Sequence, residues 1–284
     1  MQLLMLQLLA IAIKIGSSTT AISTAINSQE STTIDDLLAF PDQSIKFKDD
    51  PQVDYSANKF QIIPCSLSDA GKNECIRGLF NQVLPKLKVG LSDYGMPSID
   101  PYFYNRGIFR YSSDGIQGGL LIKNVNILGI SNIFVKTFTG NFTNDALRVK
   151  LGLEVKQLRA NGEFKADVKF GGLRLVPKGP FNITLNNVRA TILTDGNLIN
   201  KDSGLRVQLR RLNANVAVGN ARINANGIFS DNNLNNMILN LVNENLLEII
   251  RIGIPATREQ WAPILVEHIN KFFSQVPSEK FLVQ

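Results

Sequence analysis

Between Tyr102 and Phe229 apolar residues return at every second position, which restricts this stretch to strands with one wet and one dry face. Leu147, Val149, Leu151, Leu153 and Val155 alternate with Arg148, Lys150, Gly152, Glu154 and Lys156. Phe164, Ala166, Val168 and Phe170 alternate with Glu163, Lys165, Asp167 and Lys169, so the acids Glu154, Glu163 and Asp167 are expected outside. The same rhythm runs through Phe181, Ile183 and Leu185, then Val188, Ala190 and Ile192, then Leu205, Val207 and Leu209, then Leu212 to Val218. Turn signals at Asn161-Gly162, Gly171-Gly172, Lys178-Gly179-Pro180, Asp195-Gly196 and Asp202-Ser203-Gly204 are expected to separate antiparallel strands. Gly118, Gly119, Gly129, Gly152 and Gly219 suit bulges or strong curvature. A long sheet with one dry face must curl or find something to wrap.

The stretch after it supplies that object. From Leu234 to Phe273 the period becomes helical. Leu241, Ile252, Ile238, Ile249, Val242, Leu246, Leu239 and Ile250 fall around about half the circumference at 100° per residue, wider than an ordinary surface stripe. Ser230 or Asp231 caps its start, and Gly253-Ile254-Pro255 interrupts it. Thr257 with Gln260 has the capping-box spacing for a restart, and Trp261, Leu265, Ile269, Phe272 and Val276 continue an apolar face until Pro277. The expectation is an α+β fold in which a curved antiparallel sheet holds a kinked two-piece helical arm.

Ahead of the strands, Leu3 to Ile13 is an apolar run of secretory length with small residues for cleavage near Ala21 or Ala25, so residues 1–25 read as a signal peptide and the protein as secreted. Residues 26–59 read as an acidic, disordered extension: Glu30 to Lys59 holds seven acidic and three basic residues, with at most a helical turn over Ile34 to Phe40. Residues 60–284 form one domain, and 44% apolar content is ample for its core. Cys65 and Cys75 are ten positions apart in an exported chain, so a local disulfide is the natural reading, contributing on the order of 3 kcal/mol. Ile76, Leu79, Phe80, Val83, Leu84 and Leu87 then trace an amphipathic helix, capped by Ser68 or Asp69, kinked at Pro85 and ended by Gly90. Asn141-Phe142-Thr143 and Asn182-Ile183-Thr184 are glycosylation sequons.

Catalysis finds little footing. The chain has one histidine and two cysteines expected to be oxidised, and it lacks nucleophile elbows, phosphate-binding glycine loops and paired-histidine metal motifs. We therefore expect no enzyme, no metal and no cofactor. His268 reads first as a partly buried structural imidazole satisfied by a local hydrogen bond, and second as a ligand contact. From Phe60 onward the chain carries 26 basic and 17 acidic residues, but Arg148, Lys150, Lys156, Lys165 and Lys169 stand singly on a wet strand face, and no nucleic-acid module is present.

Order and spacing make a resemblance specific. The short cysteine loop, the helix ending in Leu84-Pro85-Lys86-Leu87-Lys88-Val89-Gly90, and Met96-Pro97-Ser98-Ile99-Asp100-Pro101 resemble the opening of the takeout and juvenile-hormone-binding protein family of arthropods. Leu241-Val242-Asn243-Glu244-Asn245 and Val276-Pro277-Ser278-Glu279-Lys280-Phe281 resemble its ending. A single N-terminal cysteine pair brings the chain nearer the takeout branch. The resemblance implies a TULIP-like super-roll, a sheet rolled around a long C-terminal helix, with an internal tunnel that carries terpenoid hormones or other lipids.

The expected ligand wall combines sheet positions Leu151, Leu153, Val155, Phe164, Val168 and Phe170 with Phe181, Ile183 and Leu185. Helix positions Leu241, Leu246, Ile249 and Ile250 face them. The expected partner is a small lipophilic ligand, bound by a monomer that makes at most transient membrane or receptor contact. The alternative is an extracellular interaction or lipid-transfer protein with a filled core that works through its basic outer face.

Overall fold

A computed structural model describes residues 61–113, 116–143, 146–170, 173–201, 204–276 and 278–283. The leader, the acidic extension, its helical turn and the Gly171-Gly172 turn lie outside the described residues. Strand β1 (Cys65–Ser66) precedes helix α1 (Lys72–Val83), and the Cys65–Cys75 disulfide ties the two together. Gly71 occupies the N-cap without a side-chain bond, and Asp69 closes the preceding turn by accepting the Gly71 amide at 3.0 Å. Pro85 falls inside a 3-10 turn over Leu84–Lys88 rather than kinking an α-helix, and Gly90 takes the left-handed conformation beyond it.

Seven strands make the main sheet: β2 (Tyr102–Ser113), β3 (Ile116–Leu128), β4 (Phe134–Phe142), β5 (Leu147–Phe170), β6 (Leu173–Leu175), β7 (Lys178–Lys201) and β8 (Gly204–Ala225). Every neighbouring pair is antiparallel, in the order β2-β3-β5-β7-β8. β3 pairs with the second half of β5 and β4 with its first half. Helices α2 (Asn232–Ala256) and α3 (Arg258–Gln275) follow, and β9 (Leu282–Val283) returns to pair with β1.

Three strands run 22 to 24 residues, longer than the turn signals imply. Asn161-Gly162 lies inside β5, paired with Asn182 and Phe181 of β7, and a Cβ on Gly162 would come within 3.0 Å of the Lys123 carbonyl and of Val125 on β3. The glycine serves a close approach there, not a turn. Gly179-Pro180 belongs to β7, and Asp195-Gly196 is a register shift within that strand.

The dry face changes phase along each long strand. On β5 it passes from Val149 and Val155 to Ala160, Phe164 and Val168, on β7 from Ile183 to Val188, and on β8 from Ala214 to Ile223. At the change, two successive residues point outward: Lys156-Gln157, Asn186-Asn187 and Gly219-Asn220. Gln157 pairs with Asn186 and Asn186 with Asn220, so one crease crosses all three strands, and Asn187 meets it at φ 51°.

The crease divides the interior. On one side Leu120, Ile122, Phe164, Val168, Ile183 and Ile223 pack with Ile238, Leu246 and Ile249 of α2. On the other, Leu147, Val149, Leu198 and Leu209 pack with Ile76 of α1 and with Val266 and Ile269 of α3.

Candidate functional site

Asparagines seat the helices on the sheet. β8 is an edge strand, so one side of its backbone would otherwise be unpaired. Asn243 on α2 accepts the Ile223 amide at 2.8 Å and donates to the Ile223 carbonyl at 2.9 Å. Asn270 on α3 does the same to Leu209, both at 2.8 Å. Asn235 donates to the Ala225 carbonyl and accepts the Ile228 amide. Asn81 on α1 treats Val135 of edge strand β4 alike. Asp231 caps α2 by accepting the Leu234 amide at 2.8 Å. The Thr257-Gln260 capping box does not form, because the Thr257 hydroxyl donates instead to the Gly253 carbonyl of the preceding helix.

Helix α3 also reaches the opposite edge. Its His268 Nδ1 lies 2.5 Å from the Tyr102 hydroxyl on β2, and Gln260 donates to the Arg110 carbonyl at 3.2 Å. One helix thus bridges the first and last strands of the sheet and closes the roll. Glu259, Pro263, Glu267 and Lys271 form its exposed side. Leu265 lies about 160° round the helix from Glu267. It is 39% exposed all the same and belongs to neither core.

The expected wall residues fall into two groups. Phe164, Val168, Phe181, Ile183, Leu246, Ile249 and Ile250 are buried in the α2 core, with Leu246 at 0% exposure. Leu185 and Leu241 border that core and keep accessible surface. Leu151 and Leu153 do not face α2: they border the other core, under α1 and α3, because they stand on the far side of the crease. Val155 is buried near the crease and belongs to neither core. The side chain of Phe170 lies outside the described residues. Ala190, Ile192 and Val216 share the inner face with Leu151 and Leu153 through direct cross-strand pairing, and all of them are half-buried. Ile252, at the margin of the α2 stripe, is 45% exposed.

His268 does bond, but to a residue on the far edge strand and not locally. The rings of Tyr102 and Tyr104 meet its imidazole edge-on at 5.8 and 5.7 Å. Burial pushes both phenols above their ordinary pKa, with Tyr104 adding to the effect on Tyr102 and Glu267 to that on Tyr104. The sequence carries no sign that these tyrosines meet the histidine, since 166 residues separate Tyr102 from His268.

Asp167 departs from its expected exposure. It is 1% exposed and receives Arg174 Nε at 2.9 Å and Nη2 at 2.5 Å, because β6 folds back along the end of β5. Asn141 and Asn182 are both exposed. The outer face carries an open hollow of about 450 Å³ over Gly152, with Lys136, Glu154, Arg189, Thr191 and Asn215 around it. Leu153, Ala190, Val216 and Ala217 also line it, so charged and apolar groups share its rim. No helix among the described residues is long and apolar enough to cross a membrane.

The family model described as haemolymph juvenile hormone binding protein matches residues 49–283. No curated protein matches the chain. The crystal structure of Takeout 1 from Epiphyas postvittana shares the fold at TM-score 0.60 and 18% identity, covering 78% of this chain and 99% of that one. A lipopolysaccharide binding protein aligns at TM-score 0.27 and 14% identity over 64% of this chain and 38% of its own, and nothing further rests on it.

Proposed function

The chain belongs to the haemolymph juvenile hormone binding protein family, and we propose that it is a secreted carrier that holds a small lipophilic ligand inside the roll, between α3 and the inner face of the sheet. The observation that carries this reading is Leu265. It sits in the middle of the side of α3 turned away from solvent-facing Glu267, yet it keeps 39% of its surface accessible. A helix that closed onto a filled sheet would bury that residue most. Half-buried Leu151 and Ile192, which pair directly across β5 and β7, lie on the inner face and support the same space. Pockets lined by apolar groups with few polar ones suit long, apolar ligands.

The proposed wall is therefore the half-buried set, Leu151, Leu153, Leu185, Leu241 and Leu265, with the buried residues as its backing. Burying roughly 300 Å² of apolar ligand would contribute about 7 kcal/mol before ordering costs, so carriage at micromolar affinity needs a larger buried area or a further contact. The acidic extension, the sequons and export through the leader belong to the same proposal. Organic extraction of the purified protein and titration with a fluorescent fatty acid test it. Saturable uptake of about one probe per chain is expected; an empty extract with no saturable uptake would overturn the carrier.

A further inference from the structure

Leu121 is buried on the face of the sheet that should be wet. Its neighbours Leu120 and Ile122 point into the α2 core, so the alternation of β3 turns Leu121 to the outer face. It is nevertheless 1% exposed, and it belongs to none of the three apolar clusters among the described residues. Directly opposite it stand Ile108 on β2, itself 44% exposed, and Lys165 on β5. Two residues along the same face, Gly119 pairs with Arg110 and with Asp167, which is buried against Arg174. Two residues the other way, Lys123 pairs with Arg106 and Glu163, and Lys178 continues the Leu121 row beyond Lys165.

This patch is basic as well as apolar. Arg106, Arg110, Lys123, Lys165, Arg174 and Lys178 share it with only two acids, Glu163 and Asp167. Burial and the neighbouring Lys178 ammonium push the Lys165 pKa below its ordinary value, as befits a place where cations crowd. An acidic strip that also carries apolar side chains satisfies both the charge and the leucine. The extension supplies one, since Glu30 to Lys59 holds seven acidic and three basic residues and Asp49, Asp50 and Asp54 surround Val53. Its reach fits too. Ile99 packs against the third cluster, which contains Ile62, and Ile108 lies nine residues beyond Ile99, at most about 30 Å away. Nine residues back from Ile62 is Val53, and a chain of that length spans the same distance.

We propose that this outer patch is the docking surface for the chain's own acidic extension, with Asp49, Asp50 and Asp54 on the cations and Val53 over Leu121 and Ile108. The contact is intramolecular, so the strip acts at an effective concentration on the order of millimolar, and a few weak ion pairs suffice to hold it. A docked extension withholds the basic face from other anionic surfaces. Strong salt releases it.

Two measurements on the full chain test this, and neither involves lipid uptake, so the carrier reading is judged separately. A water-soluble carbodiimide joins a carboxylate to a lysine amine where the two touch, and peptide mass spectrometry identifies the pairs. Asp49, Asp50 or Asp54 should be joined to Lys123, Lys165 or Lys178 well above the yield at Lys150 and Lys156, which stand elsewhere on the outer face; an even spread over all five lysines overturns the inference. Leu121→Cys then places a thiol at the floor of the patch. A strip docked roughly nine-tenths of the time should slow its reaction with a maleimide about tenfold relative to the same chain with Asp49, Asp50 and Asp54 changed to Asn. Equal rates in the two chains overturn the docking, fast ones because the face is open and slow ones because its own side chains cover it.

Discussion

The Asn243 carboxamide holds both backbone groups of Ile223, accepting its amide at 2.8 Å and donating to its carbonyl at 2.9 Å. A side chain from the helix thereby occupies the place of a missing neighbour strand. Ile223 is 2% exposed, so water has no access to those groups once the amide is removed. Asn243→Leu is expected to destabilise the fold by about 2–3 kcal/mol, the cost of leaving a buried donor and acceptor unpaired. Asn270→Leu should cost a similar amount at Leu209, and the two should add, since they act at opposite ends of β8. Urea unfolding of both single variants and the double variant measures this.

Asp100 is expected to contribute stability that is lost in acid. The Gly129 and Ser131 amides each reach its carboxylate at 3.0 Å, and the Ser131 hydroxyl at 2.6 Å. Burial alone would raise its pKa, but the Ser131 hydroxyl and the two amides outweigh burial, with Lys88 adding, and hold the carboxyl below its ordinary value. A depressed folded-state pKa contributes stability that is complete above the unfolded value near 3.8 and is lost as pH falls through the folded value. Asp100→Asn should therefore cost about 1–3 kcal/mol at neutral pH and less in strong acid, where the wild type has lost the same contribution. Thermal melts from pH 7 downward should show the two curves converging.

The Asp167–Arg174 pair is asymmetric in its exposure, with side chains 2% and 26% accessible. Arg174→Ala strands a buried carboxylate and should cost about 3–5 kcal/mol, whereas Asp167→Leu combined with Arg174→Leu should cost much less. Chemical denaturation distinguishes them; equal losses would mean that the carboxylate is not the cost.

Much of the fold was legible because it depends on period alone. Alternation marked the dry faces of β5, β7 and β8, the helical period marked α1 and α2–α3, and the cysteine spacing marked the disulfide. The illegible features depend on what lies across the sheet. Asn161-Gly162 has the composition of a hairpin turn, and pairing with β3 on one side and β7 on the other keeps it in a strand. Asp167 sits in an outward register, and only β6 covers it. Nothing in Leu241-Val242-Asn243-Glu244-Asn245 says that Asn243 meets an edge strand, since a sequence does not say which strand is the edge. The crease had the same limit. Both phases of β5 were visible, but the alignment of Gln157, Asn186 and Asn220 on one line came only with the pairing. For that reason the sequence alone did not separate Leu246 and Ile250, which are buried in the α2 core, from Leu265, which keeps 39% of its surface accessible.

Leu265→Trp is the most direct measurement of the central claim. The side chain already keeps 39% of its surface accessible, so a larger group that enters an empty interior should leave the melting temperature within a few degrees of wild type while abolishing saturable uptake of a fluorescent fatty acid. Undiminished uptake in a folded Leu265→Trp protein would contradict a ligand held between α3 and the sheet.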